Sequence, residues 1–165
     1  MNAFVDTNVI VYAHDRMDRA KGERARALLE RLARDGTLTV STQVLQESYN
    51  ALIRKALLEP SKALFAVEQL AACRVVGSNA DFVLDALRLS LRFQLSVLDA
   101  LVVQAALAAR CTTLFTEDLQ AGQRFGELEV VNPFDDAVHE PHAAWPAPAP
   151  APAAKKAARK RLVKR

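Results

Sequence analysis

Short apolar runs alternate along this chain with longer stretches in which apolar residues recur at helical spacing and charges occupy the other face. That alternation predicts an α/β fold, a parallel sheet wrapped by helices. Five runs read as strands: Ala3 to Val5, Leu38 to Val40, Arg74 to Val76, Thr112 to Phe115 and Leu128 to Val131. Between them, Arg24 to Arg34 and Val44 to Leu57 carry the helical period. Pro60 can open a helix to about Ala72, because proline at a first helical position forfeits no needed donor. Asn79 and Ser96 are the expected caps of helices through Phe93 and Ala109. The apolar stretch Ala3 to Ala13 reads as a buried strand followed by a helix.

Four acids interrupt or abut these apolar segments, where a charge is costly. They are Asp6 in FVDTNV, Glu47 in LQESYN, Asp99 in SVLDALVVQAA and Asp118 in TLFTEDL. Asp6 and Asp118 follow the first and fourth predicted strands, at the carboxyl edge of a parallel sheet where open α/β folds bind ligands. Asp99 falls in the first turn of a helix and Glu47 one turn into another, and both helices begin on that side. Two carboxylates about 5 Å apart repel by roughly 3 kcal/mol at an effective dielectric near 20, so a cluster needs protons or divalent cations. An oxygen-only donor set without Cys or His motifs favours hard ions, Mg²⁺ or Mn²⁺.

Each acid also has an ordinary structural use. Asp6 or Asn8 can cap the first helix, Asp118 a short one, and Ser96 with Asp99 resembles a capping box. Glu47 fits such a use least well, because its helix has much of its surface apolar.

At 165 residues, 51% hydrophobic and 25% charged, the chain suffices for one domain with a sizeable core. Cys73 and Cys111 have no paired spacing, which argues against a disulfide framework and for two small buried side chains in a reducing cytoplasm. The N-terminal apolar run contains Asp6 and lacks a preceding basic region, unlike a signal peptide. No stretch is long and apolar enough to span a membrane.

The net charge of +3 hides a division. Lys155, Lys156, Arg159, Lys160, Arg161, Lys164 and Arg165 form an acid-free cluster, leaving 15 basic against 19 acidic residues before it. A basic appendage on an acidic body suggests a polyanion partner. It follows AAWPAPAPAPAA, which should be extended and solvated. The expected organisation is therefore one domain over 1–136 and a disordered linker and RNA-binding tail over 137–165.

FVDTNV, Glu47 after the second strand, LDALVVQAA and LFTEDL, in this order and approximate spacing, resemble the PIN-domain nucleases, and among them the VapC-type toxin ribonucleases of type II toxin-antitoxin pairs. The resemblance covers about residues 1–134. It implies a three-layer α/β/α sandwich with a central parallel sheet, Mg²⁺-dependent RNA cleavage, inhibition by a cognate antitoxin protein and a homodimer. It also implies that Asp6, Glu47, Asp99 and Asp118 form the catalytic, metal-binding quartet, with Asp6 and Asp99 as direct ligands and Asn8 and Thr116 as polar helpers that orient a carboxylate or a water. One departure is Leu98, where an aromatic often precedes the third acid of the family. The tail lies outside the shared pattern.

Three other readings compete. A haloacid-dehalogenase-like phosphohydrolase would use the Asp after its first strand as nucleophile, but expects a second Asp where this chain has Asn8; a phosphoacceptor domain would need a Lys near Asn132. A noncatalytic RNA-binding module of the same fold is the rival from outside the enzymes. His14, His139 and His142 read as surface residues, and Phe4, Phe65, Phe82, Phe93 and Phe115 as core.

Overall fold

The computed structural model describes residues 2–135. The proposed linker and tail lie outside the described residues, as do Trp145, His139 and His142. In chain order the elements are β1 (Ala3–Val5), α1 (Thr7–His14), α2 (Arg19–Arg34), β2 (Leu38–Ser41), α3 (Thr42–Arg54), α4 (Pro60–Ala71), β3 (Arg74–Val76), α5 (Ala80–Phe93), α6 (Val97–Ala108), β4 (Thr113–Phe115), β5 (Arg124–Phe125) and β6 (Leu128–Val131).

The strands form one sheet in the order β3-β2-β1-β4-β6-β5, flanked by the helices as an α/β/α sandwich. All pairings are parallel except β5 with β6. All three residues of β1 are buried, as expected of a central parallel strand covered on both faces. Around β1 the core gathers Val9 and Ile10 of α1, Val40 of β2, Val103 and Ala106 of α6, Leu114 of β4 and Val130 of β6. Among the described residues no single helix is long and apolar enough to cross a membrane.

The five expected strands all occur, and the sheet gains a sixth. Residues 124 and 125 pair antiparallel with β6 through a tight turn led by Gly126 at φ +65°, a conformation glycine adopts without strain. A two-residue strand is too short to show a period. α2 begins at Arg19, one turn before the expected Arg24, because the Asp18 carboxylate accepts from the Lys21 N–H and caps it. Gly22 in that turn lets α2 close on α1: a Cβ there would lie 3.1 Å from the Tyr12 carbonyl oxygen and 3.2 Å from that of Asp15. α3 stops at Arg54 rather than Leu57, which takes a left-handed φ of 53° and is exposed. The caps at Asn79 and Ser96 form as expected, each accepting from the N–H three residues on.

Of the five phenylalanines assigned to the core, Phe4 is fully buried, and Phe82, Phe93 and Phe115 pack against the core half-buried. Phe65 is a correction: it is 62% exposed on α4, because the helical period there also sets Leu64 and Phe65 outward. Cys111 is buried and Cys73 half-buried, both as free thiols. His14 donates through Nδ1 to the Ile10 carbonyl at 3.1 Å.

Candidate metal centre

β1 lies between β2 and β4, so the chain departs to opposite sides of β1 and leaves a crevice at the carboxyl ends of the strands, the usual ligand position in such sheets. Register then fixes the first contacts. Val5 pairs with Phe115, so the next residues, Asp6 and Thr116, emerge side by side, and the Asp6 N–H donates to the Phe115 carbonyl at 3.0 Å.

Asp6 caps α1, one oxygen accepting from the Thr7 N–H at 2.6 Å. Its other oxygen accepts from the Thr116 hydroxyl at 2.8 Å and the Asn8 amide at 3.3 Å. The same Asn8 amide donates to the Thr116 hydroxyl and to Asp118 Oδ2, both at 2.9 Å. Thr116 is fully buried, and its oxygen also accepts from the Asp118 N–H at 3.1 Å. Two amide protons thus serve three acceptors, and the network fixes Asp6 and Asp118 relative to each other.

Glu47 joins from α3. One of its oxygens accepts from the Thr7 hydroxyl at 3.2 Å and the other from the Gln43 amide at 2.8 Å. Asp99 lines the same cleft from α6 but is turned toward its own cap, accepting from the Ser96 hydroxyl at 2.7 Å. The cleft has a volume of ≈ 390 Å³ and all four acids line it, together with Asn8. Both the cap and the cleft position foreseen for Asp99 are therefore present at once. Among the described residues no three carboxylates form a ready-made ion cage.

Burial pushes the Asp6 carboxyl up to about 6, against the opposing hydrogen bonds from Thr116 and Thr7, and the charges of Asp118 and Glu47 add to the rise. The charges that act on this buried acid are those of two other acids. Asn8 Oδ1 is buried with no hydrogen-bond partner, although buried amide oxygens are rarely left so. Oxygen donors, excess negative charge and an orphaned amide oxygen suit a hard divalent cation in kind.

Sequence reasoning passed over four participants. Thr7 and Gln43 hold Glu47, and Thr7 was legible only as part of the DTN run. Lys21 reaches Glu117 at 2.6 Å across 96 residues, a pairing with no local signal. Glu117 lies between Thr116 and Asp118 and lines the cleft; beside it, the Lys21 ammonium is held more firmly protonated than usual.

The family model for the PIN domain matches residues 3–124. No curated protein matches the chain in sequence. Among solved structures, VapC20 of Mycobacterium tuberculosis, described as a sarcin-ricin loop cleaving toxin, superposes with a TM-score of 0.54 at 20% identity, over 68% of this chain and 87% of that one. A toxin-antitoxin complex from Klebsiella pneumoniae gives 0.62 at 19% identity, over 81% and 99%. VapBC2 from Rickettsia felis, bound to a DNA fragment from its promoter, gives 0.56 at 20% identity, over 79% and 97%.

Proposed function

The chain belongs to the PIN-domain family, and from that premise we propose that it is a Mg²⁺- or Mn²⁺-dependent ribonuclease, the toxin of a type II toxin-antitoxin pair. The observation that carries this reading is the convergence of Asp6, Glu47, Asp99 and Asp118 on one cleft around a buried carboxyl and an unpartnered amide oxygen. The toxins among its structural relatives supply the biological setting.

A phosphodiester repels nucleophiles by its own charge. When bound, a divalent cation neutralises the phosphoryl oxygens and makes water a better nucleophile. Asp6 and, once turned from its bond to Ser96, Asp99 would hold it directly, with Glu47 and Asp118 completing the donor set. The protein's own contribution is preorganisation. Thr116 and Asn8 lock the Asp6 and Asp118 carboxylates through three hydrogen bonds and are joined to each other by a fourth, while Thr7 and Gln43 hold Glu47 at the cleft. The first turns of α1 and α6, which carry Thr7, Asn8 and Asp99, border the same space and add positive dipole ends toward a phosphate.

Purified, antitoxin-free protein incubated with a pool of RNAs is expected to cut them with Mg²⁺ or Mn²⁺ and to stop on chelation. A noncatalytic RNA-binding role is the second reading, favoured by the turn of Asp99 toward Ser96. Metal-dependent stabilisation without new RNA ends, mapped by sequencing, would establish it instead.

The partners follow from the same reading: RNA, an antitoxin that covers the cleft, and a second copy of the chain. Leu84 and Leu91 on α5 and Val97 and Leu98 at the start of α6 are exposed, apolar side chains of the kind that protein contact covers. Phe134, near the end of the described residues, packs edge-on against Tyr12 at 4.9 Å and receives Arg24 on its carbonyl. Tyr12 lines the cleft. The last described residues therefore lie beside the cleft, which supports a part for the basic cluster of the sequence in holding RNA. Deleting 143–165 is expected to weaken RNA binding and flatten its salt dependence by about 0.7 in log–log slope per lost phosphate contact. Unchanged affinity across a salt titration would remove the tail from the binding surface.

A further inference from the structure

Among the described residues, six carboxylates line the cleft, those of Asp6, Asp15, Glu47, Asp99, Glu117 and Asp118, against one cationic lining residue, Lys55. An RNA phosphate and a cation respond to that charge in opposite ways, so any group that trims it tunes both. Glu117 is the acid that the structure treats differently. Its neighbours Thr116 and Asp118 belong to the Asp6 network, whereas its own carboxylate is drawn to Lys21 of α2 at 2.6 Å. Lys21 is held in turn: it donates to the Tyr12 hydroxyl at 3.1 Å and sits 4.4 Å from the Tyr12 ring centre and 5.1 Å from that of Phe134. Both partners of the ion pair are largely covered, with side chains 31% and 22% exposed. An ammonium fixed by a carboxylate, a hydroxyl and two aromatic faces has little freedom to leave.

We propose that Lys21 is a positioning residue of the cleft, which holds the Glu117 carboxylate to the α1–α2 side and so withholds one acid beyond the proposed quartet from the cation and from the incoming phosphate. This rests on the ribonuclease reading of the cleft. Its consequence runs against ordinary damage. Removing Lys21 leaves the cleft one charge more negative, with Glu117 released next to Asp118, so a divalent cation binds more tightly while RNA binds less well. A variant that had merely lost packing would bind both less well.

The experiment is a charge cycle on the full chain, read by calorimetric titration with Mn²⁺ and by KM and kcat on RNA. Lys21→Met is expected to tighten Mn²⁺ by roughly threefold to tenfold and to raise KM for RNA by a similar factor, the size of one unit charge moved within a partly screened cleft. Lys21→Met combined with Glu117→Gln restores the charge and is expected to return both values toward the parent. Lys21→Arg keeps the cation and is expected to behave as the parent does. Unchanged or weaker Mn²⁺ binding in Lys21→Met, or failure of Glu117→Gln to reverse the shift, overturns the proposal. The Mn²⁺ affinities are read without RNA, so a parent that binds Mn²⁺ yet cuts nothing would count against the ribonuclease reading alone.

Discussion

Asp6→Asn is expected to abolish RNA cleavage, by about a thousandfold or more, equal to about 4 kcal/mol of barrier, and yet to make the metal-free protein more stable near neutral pH. Both effects have one source. The Asp6 carboxyl, ordinarily titrating at 3.8, is pushed up to about 6, first by burial. Below 3.8 it is protonated whether the chain is folded or not, and folding carries no penalty from it. Between 3.8 and about 6 the folded protein holds a proton that the unfolded chain releases, and above about 6 it has lost that advantage in full. The interval corresponds to a charge penalty on the order of 3 kcal/mol in the metal-free state.

Asparagine removes the charge and keeps the helix cap, since Asn serves as well as Asp at that position. Denaturant melts of the metal-free parent are therefore expected to show stability rising as pH falls from about 7 toward 4, with a much flatter profile for Asp6→Asn. Saturating Mg²⁺ should stabilise the parent by mass action and leave the variant nearly unmoved. Equal cleavage by parent and variant would remove Asp6 from the site, and parallel pH profiles would show that its burial costs nothing.

That trade was half legible in the sequence. An acid inside FVDTNV stands out because a charge within an apolar run needs a counter-charge, and the strand before it fixes the sheet edge where it must lie. The register of β1 with β4 was not legible, and it is register that sets Asp6 beside Thr116 rather than merely on the same edge. Asp99 shows the opposite limit. Ser96 and Asp99 read equally as cap and as site, and the folded chain realises the cap within the cleft, so no local pattern separates the two. Helix caps, being local, were found at Asn79 and Ser96. The start of α2 is also a local cap, at Asp18, and β5 turns locally at Gly126 onto β6 but is too short to show a period; the Lys21–Glu117 pair alone joins residues 96 apart, and nothing near either of them announces it.

Thr116→Val is the second substitution with a large expected effect, although Thr116 carries no charge. Its hydroxyl donates to Asp6 and accepts from both the Asn8 amide and the Asp118 N–H, in a fully buried position. Valine matches its shape, so the cost is not a cavity. It is the loss of three hydrogen bonds at once, which strands an N–H of Asp118, deprives Asn8 of an acceptor and takes from Asp6 the hydrogen bond that most opposes its upward shift. Leaving such buried groups unpaired is expected to destabilise the fold by about 1–3 kcal/mol. Asp6 should then hold its proton to still higher pH, and both it and Asp118 lose their fixed orientation, so cleavage is expected to fall by about 10- to 100-fold with the half-saturating Mg²⁺ concentration rising. Thr116→Ser keeps the hydroxyl and is expected to restore most of the activity. If Thr116→Val cleaved RNA at the parent rate with unchanged Mg²⁺ dependence, the network around Asp6 would be scaffolding for the strand ends alone, and the preorganisation ascribed to the site would have to come from Glu47 and Asp99 across the cleft.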